Sequence, residues 1–168
     1  ANVYVMNSDG GGRRQLTDTD AHDFYPRWSP DGTQIAFLSA RDGGAEEIYI
    51  MNSDGSNQRR LTTNGAFDGA PSWSPDGTQL VFSSDRDGDH EIYVILRDGN
   101  AEIYVMAVPD GSEADGDDLK RLTNNQPGDH EPNWSPDGTQ IAFASSEGDY
   151  ANVYVMNSDG GGRRQLTD

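Results

Sequence analysis

The stretch DRDGDHE at 85–91 places carboxylates at alternate positions, on Asp85, Asp87, Asp89 and Glu91. Calcium takes six to eight oxygen ligands, and a turn that offers oxygens at every second residue can wrap such an ion. Asp and Gly are also the ordinary residues of a solvated hairpin turn. The corresponding stretches 40–46 and 146–150 carry fewer carboxylates. The sequence therefore predicts either a calcium site or a solvated turn, with calcium as the cofactor that it suggests.

A second set of candidate ligands precedes each tryptophan of a recurring Trp-Ser-Pro-Asp-Gly motif. Its members are imidazole and carboxylate groups: His22, Asp23, Asp68, Asp129 and His130, with Glu131 directly after them. If their segments meet at one end of a central channel, they could bind a transition metal or perform acid–base chemistry. Because an aspartate recurs at the same position in every unit, a second interpretation is favoured, in which the three aspartates accept hydrogen bonds from turn backbone. We expect these five residues to mark a binding surface at the channel mouth.

The middle unit is irregular. RDGDHEIYVIL at 86–96 is followed directly by RDGNAEIYVMA at 97–107, and the next turn, 109–118, is longer than its counterparts. That turn carries four carboxylates, on Glu113, Asp115, Asp117 and Asp118. They form either a second cation site or an acidic loop tip, and the tip is favoured. Because loops vary while the scaffold persists, we expect specific binding to involve these expanded loops.

Composition restricts the possible functions. The 168 residues include 29 acidic and 12 basic residues, for a net charge of −17, so the surface repels nucleic acid and anionic membranes. Cysteine is absent, and no Gly-x-Ser-x-Gly motif is present. Apolar runs are far shorter than the roughly 18 residues of a membrane span, and the first residues read as a strand rather than a signal peptide. We expect no catalysis, no nucleic-acid binding and no membrane insertion.

Internal repeats organise the chain. WSPDGTQ recurs with its tryptophan at Trp28, Trp73 and Trp134, spaced by 45 and 61 residues. Each motif is followed by an alternating strand pattern such as TQIAF, then by a run such as EIYIM, then by a run such as RRLT. Units of four short strands in tandem are typical of β-propeller blades. The sequence predicts an all-β propeller of four-stranded antiparallel blades, with the tryptophans in the core between blades.

The same residues resemble a known family. WSPDGTQIAF, followed by EIYIMNSDG and RRLT, is similar to the WD40-like (PD40) repeat of the TolB-like β-propellers. The resemblance covers nearly the whole chain. It implies blades around a channel, commonly six, in secreted or periplasmic bacterial proteins that mostly bind other proteins. It supplies no catalytic residues, and it implies an extracellular or periplasmic location in a bacterium or archaeon.

Residues 151–168 repeat residues 1–18 letter for letter, as ANVYVMNSDGGGRRQLTD. We expect 1–18 to form the third and fourth strands of a blade. Complete blades would follow at 19–66, 67–125 and 126–168.

Three blades are too few to close a propeller. The chain is therefore interpreted as part of a tandem array, as a protomer that closes a ring by self-association, or as a subunit of an extracellular fibre or surface layer. We expect a non-catalytic protein-binding or assembly module. The enzyme alternative is a lyase or hydrolase with a metal held by His22, His130 and nearby carboxylates.

Overall fold

The structure, a computed structural model, describes residues 1–63, 65–86, 102–107, 119–124, 128–146 and 150–167. These ranges contain β-strands and turns, and none contains a helix, so none contains a helix that could cross a membrane. The prediction of an all-β fold made of antiparallel sheets is confirmed.

Three four-stranded antiparallel sheets, here called blades one, two and three, follow a two-stranded sheet. The two-stranded sheet lies within residues 1–18, here called segment N, and the identical residues 151–168 are called segment C. The strands of the two-stranded sheet are β1 (Tyr4–Val5) and β2 (Arg14–Gln15). Blade one contains β3 (Asp23–Trp28), β4 (Gln34–Ser39), β5 (Glu47–Asn52) and β6 (Arg59–Arg60). Blade two contains β7 (Asp68–Trp73), β8 (Gln79–Ser84), β9 (Glu102–Ala107) and β10 (Leu119–Arg121). Blade three contains β11 (Asp129–Trp134), β12 (Gln140–Ser145), β13 (Asn152–Asn157) and β14 (Arg164–Gln165).

The Ser-Pro-Asp-Gly-Thr turn fixes the hairpin between the first two strands of each blade. In blade three, the Ser135 hydroxyl donates to the Asp137 carboxylate at 2.6 Å, and the Thr139 amide donates to the same oxygen at 3.0 Å. Gly138 has a φ of 71°, which a side chain would disfavour. The same hydrogen bonds recur in the turns of blades one and two. The repeated motif is therefore explained by one self-contained turn.

A bulge interrupts the first strand of every blade. In blade one, Phe24 pairs with Leu38 and Arg27 pairs with Ala36, so one extra residue lies between them. The residue that follows Phe24, and the residue at the same position of each other blade, has a positive φ. The angle is 51° at Tyr25, 48° at Ala70 and 52° at Glu131. A bulge re-aims side chains and increases the local twist. Each blade thus turns a variable residue outward at the same place.

The hydrophobic core lies between the sheets. One cluster joins segment N to blade one, a second joins blades one and two, and a third joins blades two and three. The first strands lie side by side, since β7 contacts both β3 and β11. Face-to-face packing of successive sheets with first strands together is the arrangement of propeller blades around an axis.

The three tryptophans are not equally buried. Trp73 lies between blades one and two with 8% of its surface exposed, and its indole N–H donates to the Arg27 carbonyl at 3.1 Å. Trp134 is half-buried. Trp28, at the equivalent position of blade one, is 50% exposed. The prediction of a core position is therefore wrong for Trp28.

Blade two contains the two duplicated EIYV runs, and the described sheet includes the second of them. Residues 102–107 pair with 79–84 in full register, from Gln79 opposite Ala107 to Ser84 opposite Glu102. The second EIYVM run is therefore the third strand of blade two. Residues 87–101, which include the first run, lie outside the described residues.

Candidate functional site

A buried carboxylate begins the first strand of each blade. In blade one the Asp23 side chain is fully buried, and an Arg41 nitrogen lies 3.1 Å from its Oδ1. The Arg41 Nε also donates to Ser39 Oγ at 2.9 Å. The guanidinium carbon lies 4.7 Å from the ring centre of Tyr49 and 5.2 Å from that of Phe37. Carboxylate, serine, guanidinium and two aromatic rings thus form one stack, here called the arginine clamp.

The clamp governs the ionisation of Asp23. Burial raises the pKa of this carboxyl, since it penalises the charged form. Hydrogen bonds from Ser39, Thr17 and Arg41, with the positive charge of Arg41, outweigh burial and hold the pKa below its ordinary value of 3.8. Asp23 is therefore ionised at neutral pH and paired within the protein.

Blade three repeats the clamp, and blade two repeats its carboxylate, serine, arginine and first aromatic ring, Phe82. In blade two, an Arg86 nitrogen lies 2.8 Å from Asp68, and the Arg86 Nε donates to Ser84. In blade three, Arg163 lies 3.7 Å from Asp129. Arg163 also donates to Ser145 Oγ at 3.0 Å, and it lies over the rings of Phe143 and Tyr154.

The arginines of the clamp come from two places in the blade. Arg41 and Arg86 follow the second strand, whereas Arg163 precedes the fourth strand. Blade three has Glu147 where the other blades have arginine, and blade one has Gln58 where blade three has Arg163. Arg41 donates to Gln58 at 2.6 Å, so the two places are adjacent in space. Each four-stranded blade therefore supplies one arginine to its clamp, either from the turn after its second strand or from the position before its fourth strand.

The residues predicted to line the channel mouth divide into two groups. The side chains of Asp23, Asp68 and Asp129 are fully buried and face the clamp arginines. His22 is exposed, and His130 is half-buried. Within the described ranges, no three His, Asp or Glu side chains are grouped so that they could hold a metal ion. Arginine thus donates a hydrogen bond to Asp23 and to Asp68 in the interior of blades one and two, whereas Arg163 is a charged neighbour of Asp129 at 3.7 Å in blade three.

The predicted calcium site lies mostly outside the described residues, which exclude Asp87, Asp89 and Glu91. Asp85 is described, and its carboxylate accepts a hydrogen bond from the Phe67 backbone N–H at 2.8 Å. The acidic turn with Glu113, Asp115, Asp117 and Asp118 also lies outside these residues. Calcium binding at 85–91 stays a prediction.

An open pocket of about 640 Å³ lies beside the bulged first strands. Its lining includes side chains of all three blades: Tyr25, Arg27, Phe67, Pro71, His130 and Glu131. Tyr25 and Phe67 are exposed apolar rings, and Glu131 is an exposed carboxylate next to them. Aromatic rings beside charged groups are typical of protein-binding surfaces.

Sequence reasoning placed the channel mouth at the recurring aspartates and missed the bulge. Tyr25, Ala70 and Glu131 lie two residues after those aspartates and differ from blade to blade. The neighbouring tryptophan, serine and proline are constant. The six-residue strand varies at three positions in all, since the residues on either side of the bulge position and its proline, such as Phe24 and Arg27, also differ between blades, so the sequence did not single out the bulge. His130 lines this pocket with Glu131, whereas Asp129 points into the blade.

Comparisons with known proteins agree with the propeller architecture. The model of the family described as TolB beta propeller domain (PD40) matches residues 1–96, which is more than half of the chain. A TolB structure from Agrobacterium tumefaciens superposes with a TM-score of 0.77 and 29% identity. The superposition covers 98% of this chain and 55% of that one.

Curated relatives match over shorter stretches. The Tol-Pal system protein TolB of Anaeromyxobacter dehalogenans is 53% identical over 34 residues, which are 20% of this chain and 8% of that protein. Dipeptidyl-peptidase 5 of Porphyromonas gingivalis is 41% identical over 46 residues, which are 27% of this chain and 7% of the peptidase. The matches span less than a tenth of either relative.

Proposed function

Since the chain belongs to the TolB β-propeller domain family, we propose that it is a non-catalytic module that binds other proteins through the pocket beside its bulged strands. The observation that carries the proposal is the exposure of Tyr25 and Phe67 together at this pocket, next to Glu131. The net charge of −17 favours a basic partner segment.

The proposed module has no catalytic role of its own. Of the candidate acid–base groups, the recurring aspartates are buried beside arginine in the interior of each blade, whereas His22 is exposed and His130 is half-buried. The match to dipeptidyl-peptidase 5 extends over 7% of that enzyme, so its activity is not carried to this chain. A periplasmic or secreted location is part of the same proposal, supported by the similarity to Tol-Pal system proteins.

A peptide selection tests the binding proposal. Random 12-residue peptides displayed on phage are selected on the immobilised chain, and the enriched peptides are synthesised and titrated by calorimetry. We expect basic peptides with an aromatic residue, bound at least about tenfold more weakly by a Tyr25→Asn variant. Asparagine is chosen because it tolerates the positive φ at this position.

Tyr150→Ser is the matched control, since Tyr150 is also exposed but does not line the pocket. Its affinity for the selected peptides should equal that of the wild type. Failure to enrich any peptide, or equal loss of affinity in the two tyrosine variants, would refute binding at this pocket.

Self-association is the second part of the proposal. Trp28 and Trp73 occupy the same position in successive blades, yet Trp28 lacks the cover that blade one gives to Trp73. A further molecule of the chain can supply that cover and complete a ring or an array. Sedimentation velocity between about 1 and 100 μM at physiological salt tests it: we expect a dimer or larger species, and a monomer throughout would overturn it.

A further inference from the structure

The pocket beside the bulged strands has its floor on blade two. Gly69 and Ser83 line it although both are buried, and the half-buried Ala70 contributes a single methyl group. At the same bulge position, blade one has Tyr25 and blade three has Glu131, which are both exposed. Because β7 contacts both β3 and β11, the small residues of blade two lie between an aromatic residue and an acidic one. The space over Gly69 and Ala70 is here called the bulge recess.

Hydrogen bonds tie blade two to the blades on both sides of the bulge recess. The Trp73 indole N–H donates to the Arg27 carbonyl at 3.1 Å, and the Ser72 hydroxyl donates to the Asn133 side-chain oxygen at 3.0 Å. Positions 27, 72 and 133 correspond in the repeat and follow the bulge residue of each blade by two. The sides of the recess are therefore held in place before a ligand enters, which lowers the entropic cost of binding.

The ring of Phe67 lies directly on Gly69. A Cβ atom at position 69 would be 2.6 Å from the ring atom Cε1 and 2.9 Å from Cζ, which is closer than van der Waals contact allows. Blades one and three have large side chains at this position, Phe24 and His130. Glycine in blade two thus allows an aromatic ring, 40% exposed, to lie against the strand and line the pocket.

Glu131 is the acidic residue of the pocket, and it belongs to none of the ion pairs within the described ranges. The arginine of the pocket, Arg27, belongs to blade one and donates to the Pro26 carbonyl at 3.2 Å. His130, which precedes Glu131 in blade three, is half-buried. A carboxylate and an aromatic ring that share the pocket, with Arg27 on the far side of blade two, favour a cationic group as the ligand.

We propose that the bulge recess binds one arginine side chain of the partner, with its guanidinium against the Phe67 ring and paired with Glu131. Guanidinium is the cation that suits both contacts, because its flat faces stack on aromatic rings while its N–H groups form paired hydrogen bonds with a carboxylate. The ammonium of lysine is a strongly hydrated point charge without a flat face. The proposal rests on the peptide binding proposed above and names the group that the pocket recognises.

Citrulline tests the proposal on the peptide side, since it keeps the shape of arginine but carries no charge. Each peptide enriched on the immobilised chain is synthesised again with its arginine replaced by citrulline or by lysine, and binding is measured by calorimetry. We expect the enriched peptides to share an arginine. Either replacement should weaken binding at least about tenfold, because the pair with Glu131 or the stacking on Phe67 is lost.

Two variants of the protein address the two contacts of the guanidinium. Glu131→Gln removes the charge of an exposed side chain, and Gly69→Ala displaces the Phe67 ring. Glu131→Gln should weaken the arginine peptides at least about tenfold and the citrulline peptides less than about twofold, because the pair is already absent from the latter. Gly69→Ala should weaken the arginine peptides at least about threefold.

Asp20→Asn and Gly44→Ala are the matched controls. Asp20 is an exposed carboxylate that does not line the pocket, so its substitution changes the net charge as Glu131→Gln does. Gly44 is exposed, and apart from its chain neighbours no atom lies within 4 Å of an added Cβ. Both controls should bind the arginine peptides within about twofold of the wild type.

The outcomes separate this proposal from the one on which it rests. Peptides that lose affinity with Tyr25→Asn but contain no arginine, or that tolerate citrulline or lysine, would overturn the arginine recess and leave binding at the pocket standing. An equal loss of affinity with Asp20→Asn and Glu131→Gln would assign the effect to net charge and would also overturn it. A selection that enriches no peptide would overturn both proposals.

Discussion

Arg163 lies 3.7 Å from Asp129 in blade three, where Arg41 lies 3.1 Å from Asp23 in blade one, although the two arginines come from the turns at opposite ends of the blade's third strand. Each guanidinium also lies over the equivalent aromatic pair, Phe143 with Tyr154 or Phe37 with Tyr49. The position of the cation in the blade is therefore maintained while its position in the sequence changes.

The first prediction concerns loss of the clamp cation. Arg41→Ala should lower the free energy of unfolding by about 3 kcal/mol, because it leaves the buried Asp23 carboxylate without its charged partner. Urea denaturation at pH 7 measures the change. Arg27→Ala, at an exposed arginine of the pocket, should change stability by less than about 0.5 kcal/mol. Equal effects of the two substitutions would contradict the clamp.

The second prediction is a rescue. Gln58→Arg added to Arg41→Ala should recover at least about half of the lost stability, because position 58 corresponds to that of Arg163 and already contacts Arg41. Gln58→Lys is the control, since its single ammonium cannot reproduce the planar fork of arginine. If Gln58→Arg restores no more than Gln58→Lys, the two arginine positions are not equivalent.

The third prediction concerns acid. Hydrogen bonds from Ser135 and Thr139 lower the pKa of Asp137 to about 2, and the pKa values of Asp31 and Asp76 in the equivalent turns are lowered as well. A carboxyl with a lowered folded pKa stabilises the fold above its unfolded pKa of about 3.8, and this contribution is lost as pH falls toward about 2.

Urea midpoints measured from pH 5 to pH 2 test the acid dependence. Asp137→Asn removes one ionising group and should make the fall in stability shallower. Ser135→Ala removes the first donor to the carboxylate and should act in the same direction. Two variants with the wild-type slope would show that the turn hydrogen bonds do not control acid stability.

The fourth prediction compares two tryptophans at one repeat position. Trp73→Ala should lower the free energy of unfolding by about 3 kcal/mol or more, since it opens a cavity between blades one and two. Trp28→Ala should cost less than about 1 kcal/mol in the dilute monomer, because half of Trp28 is already in solvent. Thermal unfolding at low protein concentration measures both. A cost for Trp28 that equals that for Trp73 would contradict the described packing.

The fifth prediction retains the calcium interpretation of 85–91. Addition of about 5 mM calcium should raise the melting temperature, because an ion that binds only the folded state stabilises it. Chelation with EDTA should reverse the rise, and Asp87→Asn with Asp89→Asn should abolish it. An unchanged melting temperature in the wild type would leave the solvated-turn interpretation.

The sequence predicted the features that are local. Each Ser-Pro-Asp-Gly-Thr turn is formed within a few residues, and the apolar run that follows it is bounded by turn residues on both sides, so turn and strand could be placed without tertiary information. The clamp could not be placed in this way. Arg41 and Arg163 do not align in the repeat, and their equivalence appears only when both are seen over the same rings.

Burial in segments N and C was beyond sequence reasoning for a related reason. Tyr4 and Tyr154 have the same neighbours in the chain over eighteen positions, yet one is exposed and the other is buried. What differs is the sheet packed beside them. The bulge at Tyr25 was missed because register against β4, rather than residue type, creates it.

The two sources of the clamp arginine also constrain how such a repeat diverges after duplication. A blade with neither arginine carries an unpaired buried carboxylate, whereas a blade with both carries a second cation that can turn toward solvent, which costs less than the unpaired carboxylate. Neutral drift between the two kinds of blade therefore gains the new arginine before it loses the old one. An ancestral blade intermediate between blades one and three would have carried arginine at both positions.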